Sequence, residues 1–177
     1  MAIQPGAHKL GPDNATLRVK TGRSGAAAAA GHDLDIEVQS WEATLDIGET
    51  SSLQLTADAT SLHVVEGKGG MKALSEDDKA DIRKSIDKDV LKKNAITFTS
   101  SSVAETDGGL AVKGDLEIAG KSAPAEFDLA VGDDGTISGS ATLSQKNWGI
   151  KPYSALFGAL KVNDDVEVVI DCKVPAA

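Results

Sequence analysis

Apolar residues return at every second position along most of this chain, and that period restricts it to strands with one apolar face. In "DLDIEVQ", Leu34, Ile36 and Val38 share a face opposite Asp33, Asp35, Glu37 and Gln39. "WEATLDI" repeats the pattern with Trp41, Ala43, Leu45 and Ile47, but on odd positions instead of even ones. One extra residue exchanges the two faces of a strand. Because Gln39-Ser40 is a poor turn, the flip predicts one long strand over 33–47 carrying a bulge at that point.

The same period predicts strands over 15–21 (Leu17, Val19), 52–60 (Leu53, Leu55, Ala57, Ala59) and 95–103 (Ile96, Phe98). Further strands are expected over 109–118 (Leu110, Val112, Leu116, Ile118), 124–131 (Phe127, Leu129, Val131), 135–143 (Ile137, Ala141, Leu143) and 165–171 (Val166, Val168, Ile170). In "TSSS" the alternation slips by one between Phe98 and Val103. The connections "TDGG", "AGKS" and "GDDG" are hairpin signals. Sequential antiparallel strands with one apolar face each predict an all-β fold, an eight-stranded antiparallel barrel.

One connection is different. "SEDDKADIRKSIDKDVLKK" opens with Ser75, has Asp78 three residues on, and places Ile82, Ile86 and Val90 four apart. This predicts an amphipathic helix over 75–93 with a capping-box start and an acidic first turn. "GAAAAAG" (25–31) is too short for a stable helix and reads as a bend or single turn.

A chain of 177 residues is expected to be a single domain over 1–177, with 1–14 a loose N-terminal segment. Its net charge of -9 argues against a broad basic patch for nucleic acid or an anionic membrane. The lone Cys172 excludes an internal disulfide and fits a reducing compartment. The start "MAIQPGAHKL" lacks a secretory pattern, and no run approaches the roughly 18 apolar residues of a membrane helix. A bacterial, cytoplasmic protein without stable membrane insertion is the expectation. If the chain self-associates, a symmetric homodimer is the expected form.

Chemistry-bearing motifs are sparse. His8, His32 and His63 show no HxH or HExxH spacing, and Cys172 has no CxxC partner, so neither metal nor cofactor is expected. No GxSxG elbow exposes a serine. An enzyme reading would need His32 or His63, with a nearby Asp such as Asp33, as general base on a lipid-like substrate. His32 reads more simply as a structural residue that hydrogen-bonds backbone beside the Ala-rich bend.

An eight-stranded barrel is at the size where side chains fill it or leave room for one small ligand. The expected lining is Leu34, Ile36, Val38, Trp41, Leu53, Leu55, Phe98, Leu110, Val112, Leu116, Phe127, Leu129 and Ile137. Small residues interrupt it at Ala43, Ala57, Ala59, Gly114, Ala125, Gly139 and Ala141. They either leave an apolar channel or match the taper of a packed barrel, and residue identity alone does not separate the two. "QKNWGIKPYSALFGALK" gathers Trp148, Tyr153 and Phe157 between bends at Gly149, Pro152 and Gly158. These rings are read as a plug or gate over one barrel end, with Lys151 and Lys161 beside it, against the simpler reading that they only seal the core.

The pieces "GHDLDIEV", "ADATSLHVVEG", "ITFTSSSV", "LAVKGDLEIAGKSAPAEFDL" and the closing stretch up to "VEVVI" resemble the YceI-like family. The resemblance covers most of the chain from about Gly31 onward. It implies a lipocalin-like barrel and non-enzymatic binding, sequestration or transport of a polyisoprenoid or similar apolar lipid. It therefore favours the channel over the two alternatives, a filled barrel serving stress response or protein interaction and a lipid-modifying enzyme.

Overall fold

In a computed structural model of the protein, which describes residues 3–176, the alternating segments form one antiparallel sheet of 12 strands. They are β1 (Gly6–Leu10), β2 (Ala15–Ser24), β3 (His32–Val38), β4 (Trp41–Ile47), β5 (Ser52–Ala57) and β6 (Leu62–Gly69). Helix α1 (Glu76–Ser85) follows, then β7 (Ile96–Thr106), β8 (Gly109–Ile118), β9 (Lys121–Val131), β10 (Thr136–Ser144), β11 (Ser154–Ala155) and β12 (Leu160–Lys173). Neighbours run β1-β4-β5-β7-β8-β9-β10-β12-β2-β3-β6, with β11 beside β12. The chain passes directly from β3 into β4, so the two arms of this path are joined and the sheet curls into a lipocalin-like barrel.

The expected eight strands become twelve: a corner divides 33–47 into β3 and β4, and β1, β6 and β11 lie outside the expected strands. The predicted bulge at Gln39–Ser40 is instead a break between β3 and β4. There the Gln39 N–H donates to the Ser61 carbonyl (3.0 Å), and the Asp58 N–H donates to the Ser40 carbonyl (2.9 Å). Ser40 N–H donates to Ser61 Oγ at 3.0 Å. The corner lets β3 pair with β2 and β6 while β4 pairs with β1 and β5. Exposed Gln39 and Ser40 absorb the parity flip, which keeps Ile36, Val38, Trp41 and Ala43 all buried. Residues 11–14 and 58–61 make matching breaks between β1 and β2 and between β5 and β6. The segment expected to be loose thus contributes β1, paired from Gly6 with Ile47 to Leu10 with Ala43.

The slip in "TSSS" is a true bulge, a register shift between Ser100 and Ser102 against β8. Gly114 is small because of it. A Cβ there would strike the Thr99 carbonyl and lie 2.6 Å from the Phe98 ring. The Ala-rich segment is a single 3-10 turn over Ala28–Ala30.

Helix α1 opens with the capping box. Asp78 N–H donates to Ser75 Oγ (3.1 Å), and Ser75 N–H donates to the Asp78 carboxylate (3.0 Å). The regular helix stops at Ser85, earlier than expected, and a π turn covers Ile86–Val90. Its wider ring, closed by Leu91 N–H to the Ile86 carbonyl at 2.9 Å, accompanies the burial of Leu91. Ile82, Ile86 and Val90 pack against the same core, and the helix lies along β6. Ser75→Ala is expected to lower stability by about 1 kcal/mol in urea unfolding. The hydrogen bonds from Ser75, helped by Lys72, hold the Asp78 carboxyl at about 2. A depressed carboxylate stabilises the fold above its unfolded pKa, so this contribution is full above pH 4 and fades as pH falls towards 2. Asp78→Asn removes that part of the acid dependence, measured by far-UV circular dichroism across the same window.

Candidate ligand-binding site

The barrel interior is not filled from end to end. A cavity of ≈ 550 Å³ runs through it, within the range of ligand pockets. Leu34, Ile36, Val38, Leu53, Leu55, Phe98, Leu116, Phe127, Leu129 and Ile137 face it, as the alternation predicts. The small residues Ala43, Ala57, Ala125, Gly139 and Ala141 also lie on its wall. The interior thus holds open space where the filled-core alternative would have packed side chains.

Three expected lining residues lie elsewhere. Leu110 (0% exposed), Val112 and Trp41 are buried in the packed core, away from the cavity. Ile3, Ile47 and Val174 are likewise buried without facing the cavity. Period two names the inward face of a strand but not which inward side chains are packed over from across the barrel. Ala59 is absent from the wall because it lies in the 58–61 break between β5 and β6, and Gly114 because it sits at the bulge.

The largest omission from the expected set is β12. Leu160, Val162, Val166, Val168, Ile170 and Cys172 all line the cavity, a run of backbone of about 40 Å when extended. Helix α1 and its π turn add Ile82, Ser85, Ile86, Val90 and Leu91 to the wall. Both stripes are visible in the sequence as periodic apolar positions, but nothing local says that they face empty space. Cys172 sits on this wall with its thiol pushed up to about 11 by burial and, secondarily, by Asp171.

The aromatic stretch divides into three roles. β9 and β10 pair only through Ile137–Val131, Ser138–Ala130 and Gly139–Leu129, and then diverge. The 3-10 turn Gln145–Trp148 contacts both strands, and Trp148 is buried there, with its Nε1–H donating to the Leu116 carbonyl at 2.7 Å. Gly149 ends the turn at φ 67, the left-handed value that favours glycine. Trp148 thus faces the cavity as a wedge in the wall. Tyr153, half exposed, faces the cavity at its rim. Phe157 neither covers the opening nor touches the cavity: it is fully exposed, because left-handed backbone at Leu156 and Phe157 turns the tip outward.

The rim carries most of the polar lining. Arg23 Nε donates to the Ala28 carbonyl and Nη1 to the Lys68 carbonyl, both at 2.8 Å, and Nη1 lies 3.2 Å from Asp33. His32 Nε2 is 2.7 Å from the Lys72 carbonyl. It bonds backbone, as expected, but in the segment before α1 and not in the Ala-rich bend. His32 and His63 stand opposite Gly69 and Glu37, so five residues of β3, about 17 Å, separate them. A paired-histidine site is excluded by that distance. Among the described residues no three His, Cys, Asp or Glu side chains gather as a metal site, and no helix is long and apolar enough to cross a membrane.

The fold is similar to solved structures of low sequence identity. Burkholderia cenocepacia BcnA matches with TM-score 0.65 and 15% identity, over 89% of this chain and 94% of that one. The Campylobacter jejuni YceI protein matches with TM-score 0.56 and 17% identity, over 80% and 84% of the two chains. No curated protein matches the sequence. The YceI-like domain profile matches residues 10–174, nearly the whole barrel, and the chain belongs to that family.

Proposed function

We propose that the barrel binds the long chain of a polyisoprenoid or similar apolar lipid, and sequesters or carries it without chemical change. The observation that supports this reading is the make-up of the cavity wall. A volume of ≈ 550 Å³ is enclosed mostly by aliphatic side chains, among them the β12 residues from Leu160 to Cys172. Such a wall suits a hydrocarbon chain, which needs no hydrogen-bond partner inside the barrel. Each methylene withdrawn from water contributes about 0.8 kcal/mol, so a ten-carbon stretch gains about 8 kcal/mol before the cost of association. The polar rim, with His32, Arg23 and Lys161, leaves a hydrated end for a head group.

Freshly purified protein is extracted with organic solvent and the extract analysed by mass spectrometry. A long-chain apolar molecule in near-stoichiometric amount is the expected result. An empty extract, together with no uptake of farnesol or a longer prenol by the delipidated protein, overturns the reading.

A further inference from the structure

The rim of the cavity differs from the rest of the molecule in charge and in what it exposes. Three segments meet there: 20–31, 67–74 and 145–161. Hydrogen bonds and packing contacts join them. Arg23 donates to the Lys68 carbonyl (2.8 Å), Ala27 N–H to the Ala159 carbonyl (2.8 Å), His32 holds the Lys72 carbonyl, and Gly31 packs under Leu160. In a chain of net charge -9, these segments contain no Asp or Glu, yet they hold Lys20, Arg23, Lys68, Lys72, Lys146, Lys151 and Lys161. Arg23, Lys68, Lys72 and Lys146 pair with Asp33, Glu66, Asp78 and Asp164 from outside them. Lys151 and Lys161 are exposed and form no ion pair among the described residues.

Between those two lysines the β11–β12 hairpin projects. It is anchored by Val162 N–H to the Tyr153 carbonyl at 2.9 Å and by the pairs Ser154–Lys161 and Ala155–Leu160. Its tip exposes Leu156 (58%) and Phe157 (112%), both at positive φ (52° and 56°). Left-handed backbone is strained for such residues, and here it holds apolar side chains out in water. Met71, in the segment bound by His32, is 88% exposed on the same rim.

We propose that this rim docks on the surface of an anionic phospholipid bilayer, with Leu156 and Phe157 entering the interface and Lys151 and Lys161 meeting the head groups. The inference rests on the lipid-tail reading above and gives it a route, since the mouth then opens against the bilayer. Apolar side chains with flanking lysines are the chemistry of peripheral attachment. The acidic remainder of the molecule is repelled by the same surface, which orients the approach and keeps the attachment reversible.

The test is flotation of the purified full chain with sealed vesicles, either of phosphatidylcholine alone or of equal parts phosphatidylcholine and phosphatidylglycerol. Wild type is expected to bind the anionic vesicles more strongly, and less so as salt is raised. Leu156→Asn with Phe157→Asn is expected to weaken binding by at least about tenfold. Asn tolerates left-handed backbone, so the fold is kept, as an unchanged thermal melt would verify. Lys151→Glu with Lys161→Glu is expected to abolish the preference for phosphatidylglycerol. Absent vesicle binding by wild type, or equal binding by the Asn variant, overturns the proposal. So does a wild-type dimer that the Asn substitutions split, since the tip would then serve self-association. Lipid extracted from the same preparations is measured separately: vesicle binding with an empty barrel would refute the tail reading alone, and a filled barrel without vesicle binding the docking alone.

Discussion

Ala141→Phe is expected to lower the affinity for a long-chain apolar ligand about a hundredfold while the barrel stays folded. Ala141 lies on β10 opposite Val168, midway along the lined part of β12, and its side chain borders the cavity. A phenyl ring there projects into open space instead of packed atoms, so the strain of overpacking is small. It does block the passage, and a chain that stops short of Val168 leaves several methylenes in water. Four of them at about 0.8 kcal/mol each account for the hundredfold loss. Titration with two prenols of different length checks the mechanism. The longer should lose more, and equal loss for both, or none, would show that the ligand does not thread this part of the barrel.

The second large effect separates packed core from cavity wall. Leu110→Ala is expected to cost about 3 kcal/mol, because Leu110 is fully enclosed and its removal opens a void among tightly packed neighbours. Leu34→Ala should cost less than about 1 kcal/mol in the delipidated protein. Leu34 is half-buried and already borders empty space, so truncation only enlarges an existing hollow. Urea unfolding resolves the two, with a midpoint drop of about 1 to 2 M for Leu110→Ala at unchanged slope. In the loaded protein the order of ligand effects is expected to reverse, since Leu34 borders the cavity and Leu110 does not. Equal destabilisation by both substitutions would mean that the interior is closed around Leu34 as well.

Much of the barrel could be read from residue spacing, because a pleated strand with one wet face must alternate. The corners could not. Gln39-Ser40 satisfies equally a bulge within one strand and a break between two, and only Ser61, across the sheet, chooses between them. β1 was hidden for a related reason. "GAHKL" has one buried residue, Leu10, and its place is set by pairing with β4 rather than by its own pattern. Leu116 and Phe127 on the wall and Leu110 and Val112 off it obey the same alternation, although Phe127 is the cross-strand partner of Val112 and cavity-lining Leu129 that of Leu110. What separates them is which inward side chains have neighbours packed over them from across the barrel, a quantity that no local pattern carries. Phe157 failed differently: as an aromatic residue in a bent connection it suggested burial, but the reversed backbone at Leu156 and Phe157 overrides that preference.

The two tryptophans, placed as they are, give the protein an internal optical gauge. Trp148 touches the hollow and ties its indole to the Leu116 carbonyl, whereas Trp41 is shut away from it. One fluorophore would therefore respond to any chain entering the hollow, and the other would supply a constant background in the same spectrum.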